Sequence, residues 1–209
     1  YVVMIKGKKS GHAHMTMKRA QRSGGDVITS RTDMVLEMNR AGQGVAVRVI
    51  QQTDETLDGK PLGFMNTIRL GALPGGTTKR GTIADGKVTI TTSQFGQESD
   101  PGVYNLPEGA MMSWAIYREQ MSRTLKTGDK YQIRAYEPSI TPASTIPMDV
   151  EIMEAEMIDL FGRKVRAFKT RQIMHISNML GQKSEIETIS WMTEDGNFVR
   201  SQMEIMNLP

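Results

Sequence analysis

The chain has 209 residues, enough for one large β domain, with 38% hydrophobic residues and a mean hydropathy of −0.38. Its 26 basic and 23 acidic residues leave a net charge of +3, mixed along the chain, and only 6% of residues are aromatic. This argues against a nucleic-acid face, which needs clustered cations interleaved with stacking rings. The absence of cysteine excludes disulfides, thiolate metal sites and a cysteine nucleophile, and no apolar run approaches the ~20 residues of a membrane-spanning helix.

Tyr1 to Ile5 and Ala13 to Met17 alternate in polarity and predict a hairpin through Gly7 and Gly11, with Ala13, Met15 and Met17 on one face of the second strand and His12 and His14 on the other. After a loop at Ser23, a long run from Val27 to Arg40 holds Met34, Leu36 and Met38 in phase. Beyond a turn at Gly42 and Gly44, Val45, Val47 and Val49 repeat the alternation. Asp58-Gly59 predicts a two-residue hairpin, Pro61 to Leu70 the next strand, and Leu73-Pro74 its end. Asp85-Gly86 predicts another hairpin, and the polar residues 94–106 read as a crossing.

Ala110, Trp114, Tyr117, Met121 and Leu125 recur at spacings of three and four, predicting one principal amphipathic helix over 107–126. Pro107 and Glu108 suit its start, and Lys126 and Gly128 its end. Tyr131, Ile133 and Ala135 then resume a strand. Pro138, Pro142 and Pro147 punctuate an irregular segment that reads as a lid or an edge cover. A hairpin about Leu160-Phe161-Gly162-Arg163 would place Asp159 beside Lys164 and Glu154 beside Lys169, pairs worth roughly 0.2–1 kcal/mol each. A turn at Gly181 and the Glu194-Asp195-Gly196-Asn197 turn frame the last two strands. The expected fold is mainly β (α+β): a large curved antiparallel sheet or half-barrel of about 11–12 strands wrapped on the one helix, forming a single domain over 1–209.

His12 and His14, with His175 distant in sequence, could offer imidazoles to a metal, but no carboxylate or thiolate accompanies them at ligand spacing, and exposed histidines on a polar strand face account for them. Neither metal nor other cofactor is expected. Glu151, Glu154, Glu156 and Asp159 could be paired catalytic carboxylates, yet a ladder of ion pairs to Lys164, Arg166 and Lys169 explains the same pattern. No nucleophile elbow, phosphate-binding loop or zinc-protease motif is present, so no catalytic residue is assigned. Seventeen methionines against five phenylalanines are the oddest feature of the composition. Met111, Trp114, Tyr117 and Met121, with Met34 and Met38, could frame an adaptable apolar face between helix and sheet that takes an acyl chain or a partner. A Met-rich packed core is the plainer explanation.

The stretches Ile5 to His14, Leu57 to Phe64, Leu106 to Ala110, Leu125 to Tyr131 and Trp191 to Arg200, in that order, resemble the β-rich domain that precedes the transglutaminase-like domain in bacterial envelope proteins. The resemblance implies a noncatalytic accessory or interaction domain, exported to the periplasm or cell envelope, its partner a downstream domain of the same polypeptide or another envelope protein. A transglutaminase-like catalytic domain uses a Cys, His and Asp triad, so no catalytic residue transfers to a chain without cysteine. A sequence that starts at Tyr1 fits an expectation of a piece of a longer exported protein. The helix-on-sheet plan is also similar to lipoprotein-carrier half-barrels, which makes a lipid carrier the alternative.

Overall fold

A computed structural model describes residues 2–5, 8–22, 24–40, 43–71, 75–177 and 183–206. The loop centres expected at Gly7, Ser23, Gly42, Leu73-Pro74 and Gly181 lie outside them, as does the side chain of Met38. The described chain is mostly antiparallel β with one helix. Two compact units form, Tyr1–Ala115 with Tyr136–Thr145, and Ile116–Ala135 with Ile146–Pro209.

The first unit holds a nine-stranded sheet: β1 Val2–Ile5, β2 Lys8–Arg22, β3 Gly25–Arg40, β4 Gln43–Thr56, β5 Pro61–Leu70, β6 Thr77–Ala84, β7 Lys87–Gln94, β8 Gln97–Glu98 and β9 Gly102–Asn105. Each strand from β1 to β7 pairs with the next, and β9 returns to β7. The second unit holds a five-stranded meander: β10 Lys130–Ala135, β11 Ile146–Leu160, β12 Arg163–Ser177, β13 Lys183–Met192 and β14 Phe198–Met206. Among the described residues neither sheet closes into a barrel.

Two sheets thus stand where one sheet of eleven or twelve strands was expected. Part of the excess comes from residues 94–106: a tight turn at Phe95-Gly96 folds β8 onto β7, and β9 follows. The Asp58-Gly59 signal is real, but residues 57–60 form a wider connection in which Gly59 N donates to Thr56 O at 2.9 Å and Lys60 N to the Thr56 hydroxyl at 2.9 Å. The same plan recurs at Thr193-Glu194-Asp195-Gly196-Asn197, where Gly196 N donates to Thr193 O at 2.8 Å. A threonine three residues before the glycine accepts with both its carbonyl and its hydroxyl, so one local sequence writes the same loop twice.

The helix, α1, covers Ser113–Met121 rather than 107–126. Gly109 takes a left-handed φ of 69°, which stops helical propagation, and Ala110 N turns back to Pro107 O at 3.3 Å. Met111 is held in extended pairing by Tyr136 N, which donates to its carbonyl at 2.7 Å. The helix start is capped from outside. Glu55 on β4, fully buried, accepts from Trp114 N at 2.7 Å and Ala115 N at 2.9 Å, satisfying two of the donors every helix start leaves open. Burial raises the Glu55 carboxyl above its ordinary range, against those backbone donors and the Thr53 hydroxyl. At the other end Gly128, at φ 90°, lies beyond the helix and serves the turn into β10, where its N–H donates to Ile152 O at 2.8 Å.

Candidate binding face

Alternation puts residues two apart on one face of a strand, and in-register pairing turns those faces into rows across the sheet. In the first unit one face carries four successive rows of different character. Gly11, Leu36, Val47 and Leu70 form the first, across β2 to β5, and Ala13, Met34, Val49 and Ile68 the second. Both rows are apolar throughout. The third runs from Met15 and Thr32 to Gln51, Asn66, Lys79 and Thr92, becoming polar as it crosses β4 to β7. In the fourth, Phe64, Gly81 and Ile90 stand side by side, and a Cβ on Gly81 would run into the Phe64 ring.

The fourth row belongs to a closed core. Phe64, Ile83, Val88 and Ile90 pack with Met112 and Tyr136, and Leu106 and Ala110 lean on them. Each such side chain removed from water contributes roughly 1.5–3 kcal/mol. The polar third row receives residues 137–139. Gln51 Nε2 donates to Glu137 Oε2 at 3.1 Å, Asn66 Nδ2 to Ser139 Oγ at 3.0 Å, and Lys79 Nζ to Ser139 O at 2.7 Å, while Ser139 Oγ donates to Glu137 Oε1 at 2.5 Å. Burial pushes the Glu137 carboxyl up, opposed by the Ser139 donors and the Lys79 charge. Tyr136 Oη donates to Pro142 O at 2.9 Å, and burial, with the Glu137 charge, raises its phenol to about 12. The proline-punctuated segment expected to be a lid or an edge cover is therefore anchored on the sheet face, with Pro138 buried beneath it.

Beyond that anchored row the two apolar rows are more open. Val47 is 8% exposed, but Ile68 is 44% and Leu70 53% exposed, and Met34, Leu36 and Val49 are half-buried. Two cavities lie elsewhere. One of about 190 Å³ is lined by Lys79, Ile90, Thr92, Tyr104 and Pro138, and one of about 290 Å³, in the second unit, by Arg123, Leu125, Lys130, Tyr131 and Ile152. Both fall below the ~300–1,000 Å³ of enclosed ligand pockets.

The six residues singled out in the sequence do not share one environment. Met34 stands in the second apolar row, and Met38, whose side chain lies outside the described residues, pairs in register with Val45 on β4. Met111 precedes the helix and is half-buried. Trp114 is half-buried, with its indole N–H donating to Leu57 O at 3.1 Å, which ties the ring to the β4–β5 connection. Tyr117 is half-buried, and Met121 is 38% exposed at the helix end, filling the space over Gly196. Neither cavity is lined by any of the six. The sequence missed Val47, Val49, Ile68 and Leu70 as neighbours of Met34. The signal was present as in-phase alternation in consecutive strands, but only the register shows that the phases coincide.

His12 and His14 both face outward on β2, as alternation requires. Among the described residues no group of three His, Asp or Glu is arranged to hold a metal ion. His175 on β12 lies between two carboxylates, with Nε2 2.8 Å from Asp149 Oδ2 and Nδ1 3.1 Å from Glu185 Oε1. These contacts, Asp149 first, raise its pKa against the opposing effect of desolvation, and hydrogen bonds from Gln132 and His175 lower that of Asp149. The carboxylates of β11 do form polar ladders, with partners other than those expected. Glu151 pairs with Lys130 at 3.0 Å, and Glu156 accepts from the Trp191 indole. Asp159 stands opposite Lys164 in register but accepts instead from Gly162 N at 2.8 Å. Glu154 falls in a bulge between Ile152 and Ala155, where it shares the place opposite Lys169 with Met153, and among the described residues no ion pair joins it to Lys169.

No protein-family model matches the chain, and no curated protein matches it in sequence. Among solved structures it is similar to a β-barrel-like protein of a domain of unknown function, DUF1849, from Brucella abortus, with a TM-score of 0.64 at 14% identity, covering 94% of this chain and 84% of the other. That likeness supports the β-rich architecture and lends no support to a place beside a transglutaminase-like domain.

Proposed function

We propose that this chain is a noncatalytic binding domain whose ligand is a hydrocarbon chain laid across the two apolar rows of β2 to β5. The observation that carries the reading is the contrast along one sheet face: the same alternation that makes a closed core at Phe64 and Ile90 leaves Ile68 and Leu70 accessible beyond the Glu137 row. Four strands at ~4.8 Å spacing give on the order of 15 Å of apolar width. Each methylene buried there contributes roughly 0.8 kcal/mol. Met34, unbranched and polarisable, suits a ligand of variable shape. The sequence pattern set this face between helix and sheet; of those residues Met34 remains, and the proposed face rests on the strands alone. Residence in a cell envelope beside a partner domain belongs to the same proposal and is supported only by the resemblance of turn motifs.

Native mass spectrometry of the purified chain, repeated after denaturing extraction and reconstitution with palmitate, tests the reading. The expected result is a hydrocarbon-bearing adduct that Ile68→Glu abolishes and Trp114→Ala retains. Absence of palmitate uptake by the folded wild-type chain would contradict it.

A further inference from the structure

Tight two-residue hairpins with positive φ at both central positions favour Asn-Gly or Asp-Gly, because a left-handed conformation strains any side chain with a bulky Cβ substituent. The β6–β7 turn obeys this with Asp85 at 51° and Gly86 at 69°. The β7–β8 and β11–β12 turns do not: Phe95 at 51° and Phe161 at 53° occupy the first position, followed by Gly96 at 82° and Gly162 at 81°, and of the two rings that of Phe95 lies against Gly75. Phe161 is also 100% exposed, so the strained backbone is not offset by burial. A phenylalanine fully in water and in an unfavourable conformation makes the fold no more stable, and strain that stability does not explain points to function.

The surroundings define what would cover it. The bulge at 153–154 reverses the facing of the outer part of the hairpin. On β11 Ile158 thereby joins Ala167 and Trp191 on one face, while Met157, 59% exposed, and its neighbour Arg166 face the other way. Around Phe161 stand three cations, Arg163, Lys164 and Arg166, and two carboxylates, Asp159, which accepts from Gly162 N, and Glu194. Arg166 is answered by Glu194; Arg163 and Lys164 have no ion-pair partner among the described residues. The tip carries one fully exposed aromatic ring at its turn. Partner pockets on proteins are matched by flat patches with several anchors around a dry centre. A fluid interface closes around a single ring instead, and an anionic surface draws the flanking cations.

We infer that the Phe161 hairpin is a docking tip for an anionic lipid surface, with the ring at headgroup depth and Arg163 and Lys164 on the anionic headgroups. The inference is independent of the ligand on β2 to β5.

Cosedimentation with vesicles of phosphatidylcholine plus phosphatidylglycerol, against phosphatidylcholine alone, tests it on the full chain together with thermal melting. Wild type pellets with the anionic vesicles and is released by salt. Phe161→Asn weakens partitioning on the order of tenfold while raising the melting temperature, since asparagine suits the turn that phenylalanine strains. Opposite signs in the two readings separate a docking residue from a structural one. Lys164→Glu weakens partitioning about fivefold or more and flattens the salt dependence. The inference is overturned if wild type ignores both vesicles, as it would were the tip made for a protein pocket. It is also overturned if Phe161→Asn binds as wild type does, or if that substitution lowers the melting temperature.

Discussion

The two ends of one sheet face in the first unit are built from the same materials and do different things. At one end Phe64, Ile83, Val88 and Ile90 are sealed by Met112 and Tyr136; at the other, Met34, Leu36, Val49, Ile68 and Leu70 continue the alternation with larger exposure. The difference is not in the strands. It lies in what the chain sends back over them: residues 106–112 and 136–142 return to the Phe64 end, and their progress stops at the polar row of Gln51, Asn66 and Lys79, which holds Glu137 and Ser139. A sheet face becomes core or binding surface according to where a covering segment is pinned, and here polar side chains do the pinning.

The comparison is broken most directly by making the same deletion at both ends. Ile90→Ala, at a side chain 9% exposed in the closed core, is expected to cost about 2–4 kcal/mol of stability in urea denaturation. Ile68→Ala, at 44% exposure, is expected to cost less than about 1 kcal/mol and to lower palmitate uptake instead. Equal stability losses would show that the two ends are one core.

The pinning row can be sharpened with pH. Glu137 and Glu55 both carry carboxyls raised by burial, so the folded chain holds those protons more tightly than the unfolded one. Their contribution to stability is therefore fully present below the unfolded carboxyl value and is lost as pH rises through the raised folded values. Glu137→Gln is expected to flatten that dependence in melting curves recorded across the mildly acidic range, leaving the part due to Glu55. An unchanged pH profile would place the Glu137 charge outside the folding balance.

The smallest effect concerns the second unit. His175 is raised by Asp149 and Glu185, so its contribution is fully present below its unfolded value near 6.5 and is lost as pH rises through the folded value. Asp149 acts in the other direction, stabilising above its unfolded value and losing that as pH falls through its lowered one. The groups are partly exposed, so His175→Gln should shift stability only slightly, and only on the neutral-to-acid side, as read by an NMR titration of the imidazole alongside melting.

Much of this architecture is written locally. The Asp85-Gly86 and Glu194-Asp195-Gly196-Asn197 turns, the glycine of the Phe161-Gly162 turn, the outward histidines and the strand phases all follow from turn chemistry and alternation. What could not be read depended on partners far along the chain. The helical stripe from Ala110 to Leu125 was cut short by Gly109 and by Tyr136 holding Met111 extended, and its cap came from Glu55, which no local motif announces. The bulge at 153–154, which makes Glu154 share the place opposite Lys169 with Met153, could not be read because a bulge leaves no compositional mark. The apolar rows were half legible: each strand showed its phase, while the coincidence of four phases needed the register.

The open end of that face, rather than the helix, is proposed to receive a hydrocarbon chain. Photolabelling with a palmitate analogue carrying a diazirine along its chain, followed by peptide mapping, tests it at residue level. Label is expected on peptides carrying Met34 and Leu36, Val47 and Val49, and Ile68 and Leu70, and should be displaced by excess palmitate. Displaceable label confined to the peptide spanning Trp114 to Met121, or none on β2 to β5, would contradict it.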